Sequence, residues 1–438
     1  MATLPLLGVL VYLAFGVYRG PHRIRRLRQR ASIVRATRNR REGRSETAYR
    51  RDFAHSGFAT LMAKTCTFPL TSANTIKVFD SDTEALARQL ECIADAEREV
   101  VLLTYILVTG QIQRSLFAAL ATAARRGVAV RLLVDGFGSY RLTRRSIREL
   151  ETSGVETRFF QQPNPLRGRF QINFRNHRKL LAVDGQVAFT GGRNWSDKYY
   201  SSAPGPTFRD TSFEVRGSAL IDMRRVFFED WTLAGGRPEP PQVEELPGLG
   251  TVDGGDVEIR VLPAGLDEPI DDIATVLCAA FRSARHSILI VTPYFVPAPR
   301  SYDALRLAAL SGVDVRILAP RHSGRLAIDL AAASCFRRLL QVGVRIWLRP
   351  APFLHSKAIV VDEAWATVGS VNFDARSMEL NFELNLEVVD RAFASRLRAH
   401  FDQDFEVSTE LDAGEFARPP TITRRLLENI ASIFAPIL

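Results

Sequence analysis

The sequence predicts an α/β protein built from two copies of one unit, preceded by a short membrane anchor. Three observations carry that reading. Apolar, β-branched runs alternate with amphipathic helical stretches; the same order returns in the second half of the chain; and a Pro/Gly-rich break separates the halves. In the first half, residues 83–97 place Leu86, Leu90, Ile93 and Ala94 on one helical face, and VVLLTYIL (100–107) reads as a buried strand. Residues 115–126 form a helix stopped by Gly127, 128–134 a strand, and 142–153 a helix stopped by Gly154. In the second half, 288–295 and 313–318 read as strands. Residues 302–311 and 328–342 read as helices ended by Gly312 and Gly343. The repetition is visible locally: ARRGVAVRLLV (124–134) resembles ALSGVDVRILA (309–319).

Residues 235–255 hold four Pro and six Gly, the composition of a linker. The expected organisation is 1–51 anchor and arm, 52–234 first lobe, 235–255 linker, 256–411 second lobe and 412–438 tail. At 438 residues, two or more domains are expected at about 150 residues each. A hydrophobic content of 46% with 24% charged residues excludes a mainly disordered chain. Cys66, Cys92, Cys278 and Cys335 are scattered without close Cys or His spacing, which excludes a disulfide scaffold and a thiolate zinc site.

The net charge of +10 is concentrated. Residues 19–51 carry 13 Arg against Glu42 and Glu46, a local charge of +11 that leaves the body at −1. Such an arm points to a polyanion, either nucleic acid or an anionic membrane. The 15 uncharged residues before it, LPLLGVLVYLAFGVY (4–18), favour the membrane. As a helix they reach about 22 Å, short of the roughly 30 Å hydrocarbon core, so local thinning or flanking residues must help. A cleaved signal peptide is the alternative, but its charge precedes the apolar run, whereas here it follows. The positive-inside rule places the arm and the body in the cytoplasm.

The chemistry-bearing signal occurs once per copy. NHRKLLAVDGQVAFTGGRNW begins at Asn176 and LHSKAIVVDEAWATVGSVNF at Leu354. Both contain His-x-Lys-x4-Asp: His177, Lys179 and Asp184, then His355, Lys357 and Asp362. Both follow with a small pair, Gly191–Gly192 or Gly369–Ser370, and then Asn194 or Asn372. On a strand, His and Lys two apart share a face. A two-residue hairpin at Asp184–Gly185 would set His177 opposite Gly192, and its counterpart would set His355 opposite Ser370. The Asp then lies at the turn and braces it. With seven His in the chain, two matched motifs are not a chance pattern.

These motifs resemble the phospholipase D superfamily, whose signature is the paired HKD motif. TPYFVP (292–297), FRDT (208–211), GSVNFDARSMELNFELN (369–385) and the C-terminal RRLLENIASIFAPIL are similar to its bacterial cardiolipin synthase branch. The resemblance implies two α/β lobes related by pseudo-twofold symmetry, with one active site between them and no metal or other cofactor. It assigns catalysis to His177, Lys179, Asp184, His355, Lys357 and Asp362, with His177 as nucleophile and His355 as acid. It assigns phosphate binding to Asn194, Ser370 and Asn372. Asp210 and Glu383 would orient the imidazoles, crossed so that Asp210 serves His355; surface salt bridges are the alternative for these two acids. The implied reaction is phosphatidyl transfer through a phosphohistidine, making cardiolipin from two phosphatidylglycerols, at the inner membrane of a bacterial-type cell. A hydrolytic or headgroup-exchanging phospholipase D is the alternative. A nuclease would need a basic groove that a body of −1 does not suggest, so no nucleic-acid partner is expected. A lipid-binding protein without activity would not need both His. The chain departs from the branch in having one short anchor, Gly192 in place of a Ser, and Thr104 where an acid is expected.

The tail carries an apolar stripe at helical spacing, Leu426, Leu427, Ile430, Ile433, Phe434 and Ile437. Two readings stand: a helix packed on the body by that stripe, or one lying in the membrane interface.

Overall fold

The computed structural model describes residues 56–161, 174–238, 255–265, 272–416 and 420–434. The expected anchor (4–18) and Arg-rich arm (19–51) lie outside the described residues, as does most of the expected linker. Among the described residues, no helix is long and apolar enough to cross a membrane.

After helix α1 (Ser56–Thr65), the first lobe runs β1 (Thr71–Val78), α2 (Asp82–Asp95), β2 (Glu99–Thr104), α3 (Gln111–Arg125), β3 (Ala129–Asp135) and α4 (Arg144–Thr152). It continues with β4 (Glu156–Phe160), β5 (Leu180–Val183), β6 (Val187–Gly191), β7 (Ser212–Gly217) and α5 (Ala219–Leu233). The second lobe repeats the order: β8 (Val257–Ala264), α6 (Asp272–Ser283), β9 (Ser287–Val291), α7 (Pro299–Leu310), β10 (Asp314–Pro320) and α8 (Leu326–Leu340). Then follow β11 (Arg345–Arg349), β12 (Ala358–Val361), β13 (Trp365–Gly369), β14 (Glu383–Val389) and α9 (Arg391–His400). A short edge strand β15 (Thr409–Glu410) and helix α10 (Ile422–Ile433) close the described chain.

Sheet order repeats as faithfully as chain order. The first lobe is arranged β1-β7-β6-β5-β2-β3-β4 and the second β8-β14-β13-β12-β9-β10-β11, joined through an antiparallel β1–β8 pair. In each lobe three parallel strands (β2, β3, β4; β9, β10, β11) come from β-α-β crossovers, and an antiparallel meander carries the motif. The innermost parallel strands, β2 and β9, are buried on both faces, which is why they read as unbroken apolar runs. Local signals set the helix ends. The Ser81 hydroxyl accepts the Glu84 N–H to start α2, and Gly127 takes a positive φ just past α3.

Three cores result. One lies under α2 and α3, one under α6, α7 and α8, and a central one between the two half-sheets, with α5 and α9 inside it. The central core joins side chains from both lobes, so the lobes share buried surface and do not merely touch. Helix α1, expected within the first lobe, packs on the second instead. Phe58 meets Trp365 edge-on at 6.5 Å between ring centroids, and Met62 joins the same core.

Candidate active site

The two motifs meet across the lobe boundary. Each His lies just before its strand, β5 or β12, and is held by main chain from the other lobe. His177 N–H donates to Phe382 O (2.8 Å) and Phe382 N–H to Arg175 O (2.8 Å). In mirror fashion, His355 N–H donates to Arg209 O (2.7 Å) and Arg209 N–H to Phe353 O (2.8 Å). The residue following each of these partners is the expected carboxylate, Glu383 or Asp210. The backbone clamp that fixes each His thus delivers the acid that orients its ring.

The side chains complete the exchange. Nδ1 of His177 lies 2.9 and 3.0 Å from the Glu383 oxygens, and Nδ1 of His355 lies 2.6 Å from Asp210 Oδ2. An ionised carboxylate only accepts, so each Nδ1 carries the hydrogen and each Nε2 keeps its lone pair. Burial raises both acids, but charge and hydrogen bonding outweigh it. Glu383 is held below its ordinary value by His177, Lys179 and Ser370, and Asp210 by His355 and Lys357. Ser370 Oγ donates to Glu383 at 2.5 Å and Asn381 Nδ2 donates at 3.1 Å.

Burial dominates the bases. It pushes His177 down to about 4, with Glu383 opposing and both lysines reinforcing. It pushes His355 to about 3, with Lys357 reinforcing and Asp210 opposing. Lys179 falls to about 7 and Lys357 to about 8, desolvation again leading. Each imidazole feels the other lobe's lysine, so the four bases form one electrostatic unit. Lys179 Nζ donates to His177 O at 2.6 Å. Lys357 Nζ donates to His355 O and also lies 2.8 Å from Nδ1 and 3.1 Å from Nε2 of that ring. Aromatic walls flank the rings: Tyr105 stands 4.9 Å from His177 and Tyr199 5.2 Å from His355.

Several expectations need correction. The hairpins do turn at Asp184–Gly185 and Asp362–Glu363, all four residues at positive φ. Gln186 N–H donates to Val183 O, and Ala364 N–H to Val361 O. However, Val183 pairs with Val187 and Val361 with Trp365, so one extra residue shifts each ladder. The small residues therefore do not face the imidazoles. A Cβ on Gly192 would overlap the Asp210 carboxylate, and Gly191, at φ 137°, lies against Thr211 O. The gap is kept for the carboxylate, not for substrate.

Asp184 and Asp362 sit at the far end of the strand from His and Lys and touch no reacting group. Asp184 accepts the N–H groups of Glu97, Arg98 and Glu99 at 2.8–2.9 Å. Asp362 accepts those of Arg285, His286 and Ser287 at 2.8–2.9 Å. They cap the starts of β2 and β9. Ser370 faces Glu383 and also accepts the Leu384 N–H, so it is a brace and not a phosphate donor. Asn194 accepts the Ile106 N–H and donates to Tyr199 Oη, keeping one amide hydrogen. Asn372 donates to Ser377 Oγ at 3.2 Å. Thr104 is fully buried at the end of β2, as Thr292 is at the end of β9.

Sequence reasoning missed the support behind His177. Arg178, between His and Lys, is fully buried. It donates to Asp230 Oδ1 (2.6 Å), Glu383 O (2.9 Å) and Ala264 O (3.0 Å), and Asn176 Nδ2 donates to the other Asp230 oxygen at 2.8 Å. An acid inside the apolar run FFEDW (227–231) was the available signal.

Two α/β repeats that exchange His-carboxylate pairs across one boundary define a two-lobed phospholipase D-type scaffold. The model of the family "Cardiolipin synthase, PLD-like domain" matches residues 90–203 and 277–405, and the chain belongs to that family. Cardiolipin synthase 1 of Bacillus cereus is 30% identical over 100% of this chain and 87% of its own length. A cardiolipin synthase of Geobacillus thermodenitrificans is 33% identical with the same coverage. Among solved structures, a phosphatidylserine synthase from Haemophilus influenzae superposes with a TM-score of 0.68 at 14% identity, over 87% of this chain and 100% of that one, a likeness of fold.

Proposed function

We propose that the protein is a phosphatidyltransferase that makes cardiolipin from two phosphatidylglycerol molecules and releases glycerol, with His177 as nucleophile and His355 as acid and base. The observation that carries the reading is the crossed pair of imidazoles, each with Nδ1 on a carboxylate and Nε2 left for chemistry. His177 Nε2 attacks phosphorus, the P–O bond to glycerol breaks, and His355 protonates the leaving alkoxide. The second phosphatidylglycerol then gives its hydroxyl proton to His355, attacks phosphorus and breaks the P–N bond. Lys179 and Lys357 hold the phosphoryl oxygens where charge develops.

An asymmetry around the two rings supports these roles. Lys179 donates to the carbonyl of His177 and lies over the Tyr105 ring, whereas Lys357 lies 3.1 Å from His355 Nε2. Both imidazoles are neutral near pH 7, so the acid must gain a proton when the diester binds. The anionic diester beside the ring and the Asp210 carboxylate favour that imidazolium, while Lys357, charged below about 8, stays with the phosphoryl oxygens. The lipid substrate fits a membrane-associated enzyme, and residues 1–51 supply an anchor and a basic arm for anionic headgroups at roughly 1 kcal/mol per Arg near the surface.

Purified protein given vesicles of phosphatidylglycerol alone should yield cardiolipin and glycerol in equal amounts. Phosphatidic acid as the main product would show that water takes the second half-reaction, and absence of any product would refute the reading.

A further inference from the structure

Helix α10 presents its apolar stripe outward. It packs on α8 through the opposite side: Glu428 accepts from Arg337 at 3.1 Å, and Ala431 is buried with Ile328 and Ala331. Ile422 is 88% and Ile433 74% exposed, and Leu426, Leu427 and Ile430 share that exposed face. The expectation that a packed helix would bury this stripe is therefore wrong. Scattered exposed apolar residues are ordinary, but a continuous helical face is not.

A second patch occupies a related place in the other lobe. The loop between β3 and α4 exposes Phe137 and Tyr140, the latter to 70%. Its pseudo-symmetric counterpart, between β10 and α8, leads into Leu326, 76% exposed beside α10. Both loops reach the site through residues that flank the imidazoles. Ser139 Oγ donates to Tyr105 O, and Tyr105 flanks His177. Arg325 lies over the Tyr294 ring, Tyr294 meets Phe353, and Phe353 meets His355. Charge accompanies the apolar groups. Residues 136–148 contain Arg141, Arg144, Arg145 and Arg148, of which Arg145 pairs with Glu149 at 2.8 Å; residues 321–326 contain Arg321 and Arg325 and no acid.

We infer that these two patches form a bipartite docking surface for an anionic bilayer, with α10 on one side of the site and the Phe137–Tyr140 loop on the other. Apolar side chains enter the headgroup boundary and the arginines meet lipid phosphates, bringing the two buried His to their substrate. The inference rests on the lipid-transfer reading for its choice of occupant.

The test introduces Trp as a depth probe in the full chain, by Tyr140→Trp and Ile422→Trp separately. Native Trp195, Trp231 and Trp365 are buried and Trp347 is partly buried, so each new Trp is read as the difference from the native chain. Vesicles of brominated phosphatidylglycerol should quench each variant at least twofold more than the native chain. The combined variant Tyr140→Ser, Leu426→Ser, Ile430→Ser should lose at least tenfold turnover on vesicles and less than twofold on a dispersed short-chain phosphatidylglycerol. Absence of extra quenching overturns the inference. Emission already blue-shifted without vesicles and unchanged by them would show that protein covers the patch, a second copy or another part of the chain, and also overturns it. Equal losses on both substrates with a lower melting temperature would make α10 a packing element only. If the native chain makes no cardiolipin while both Trp are quenched, the functional reading fails and the docking surface stands.

Discussion

An imidazole attacks phosphorus only through an unprotonated nitrogen, and its tautomer depends on what the other nitrogen touches. At His177 and His355 that partner is a buried carboxylate from the opposite lobe, and the consequence is measurable. Glu383→Gln and Asp210→Asn keep the shape but lose the charge that stabilises an imidazolium. Each should lower kcat by 10²–10⁴-fold, with a melting temperature close to that of the native chain. The lysines set the alkaline side of the pH profile. Lys179 and Lys357 fall to about 7 and 8 through burial, and in the proposed mechanism their charged forms hold phosphate. Because a depressed lysine is charged only below its pKa, kcat/KM should fall as pH rises through about 7 to 8. Lys179→Arg should retain part of the activity and move that limb upward, since Arg stays charged. Lys357→Arg should do the same from the other motif. Comparison of the two pH profiles checks both statements.

At the scale of the element, the hairpins show where sequence reading stops. The repeated order of strands and helices was legible because buried parallel strands must be apolar on both faces, and the turn was legible in Asp184–Gly185. The inserted Gln186 and Ala364 were not, since a two-residue turn satisfies the same local chemistry. Nor could any side-chain pattern disclose that His177 and His355 hydrogen-bond through main chain to Phe382 and Arg209. The crossed carboxylates became expectations only through family resemblance. The stripe on α10 was legible as a stripe, but its direction depends on Glu428 and Ala431 finding partners on α8. The turn aspartates give a prediction at this scale. Asp184→Ala strands three N–H groups at the start of β2 and should destabilise the fold by about 1–3 kcal/mol, read as a lower melting temperature. The kcat of the folded fraction should stay within a few-fold of native, whereas a reacting Asp would take kcat with it.

The molecule as a whole works as one site built from two similar halves. Arg178 ties them, reaching Asp230 in the first lobe and the carbonyls of Glu383 and Ala264 in the second. Asp230→Ala leaves that guanidinium buried beside an unmatched network and should cost about 3–5 kcal/mol in denaturant unfolding. Trapping the intermediate distinguishes a nucleophilic His in one lobe from an acid His in the other. A phosphatidyl ester of p-nitrophenol releases its leaving group without protonation, so His355→Ala can complete the first step but lacks the base for the second. Peptide mass spectrometry after rapid quenching should find one phosphatidyl group per chain on His177 in His355→Ala, and none in His177→Ala. Label on His355 in the His177→Ala protein, with none on His177 in its counterpart, would contradict the account.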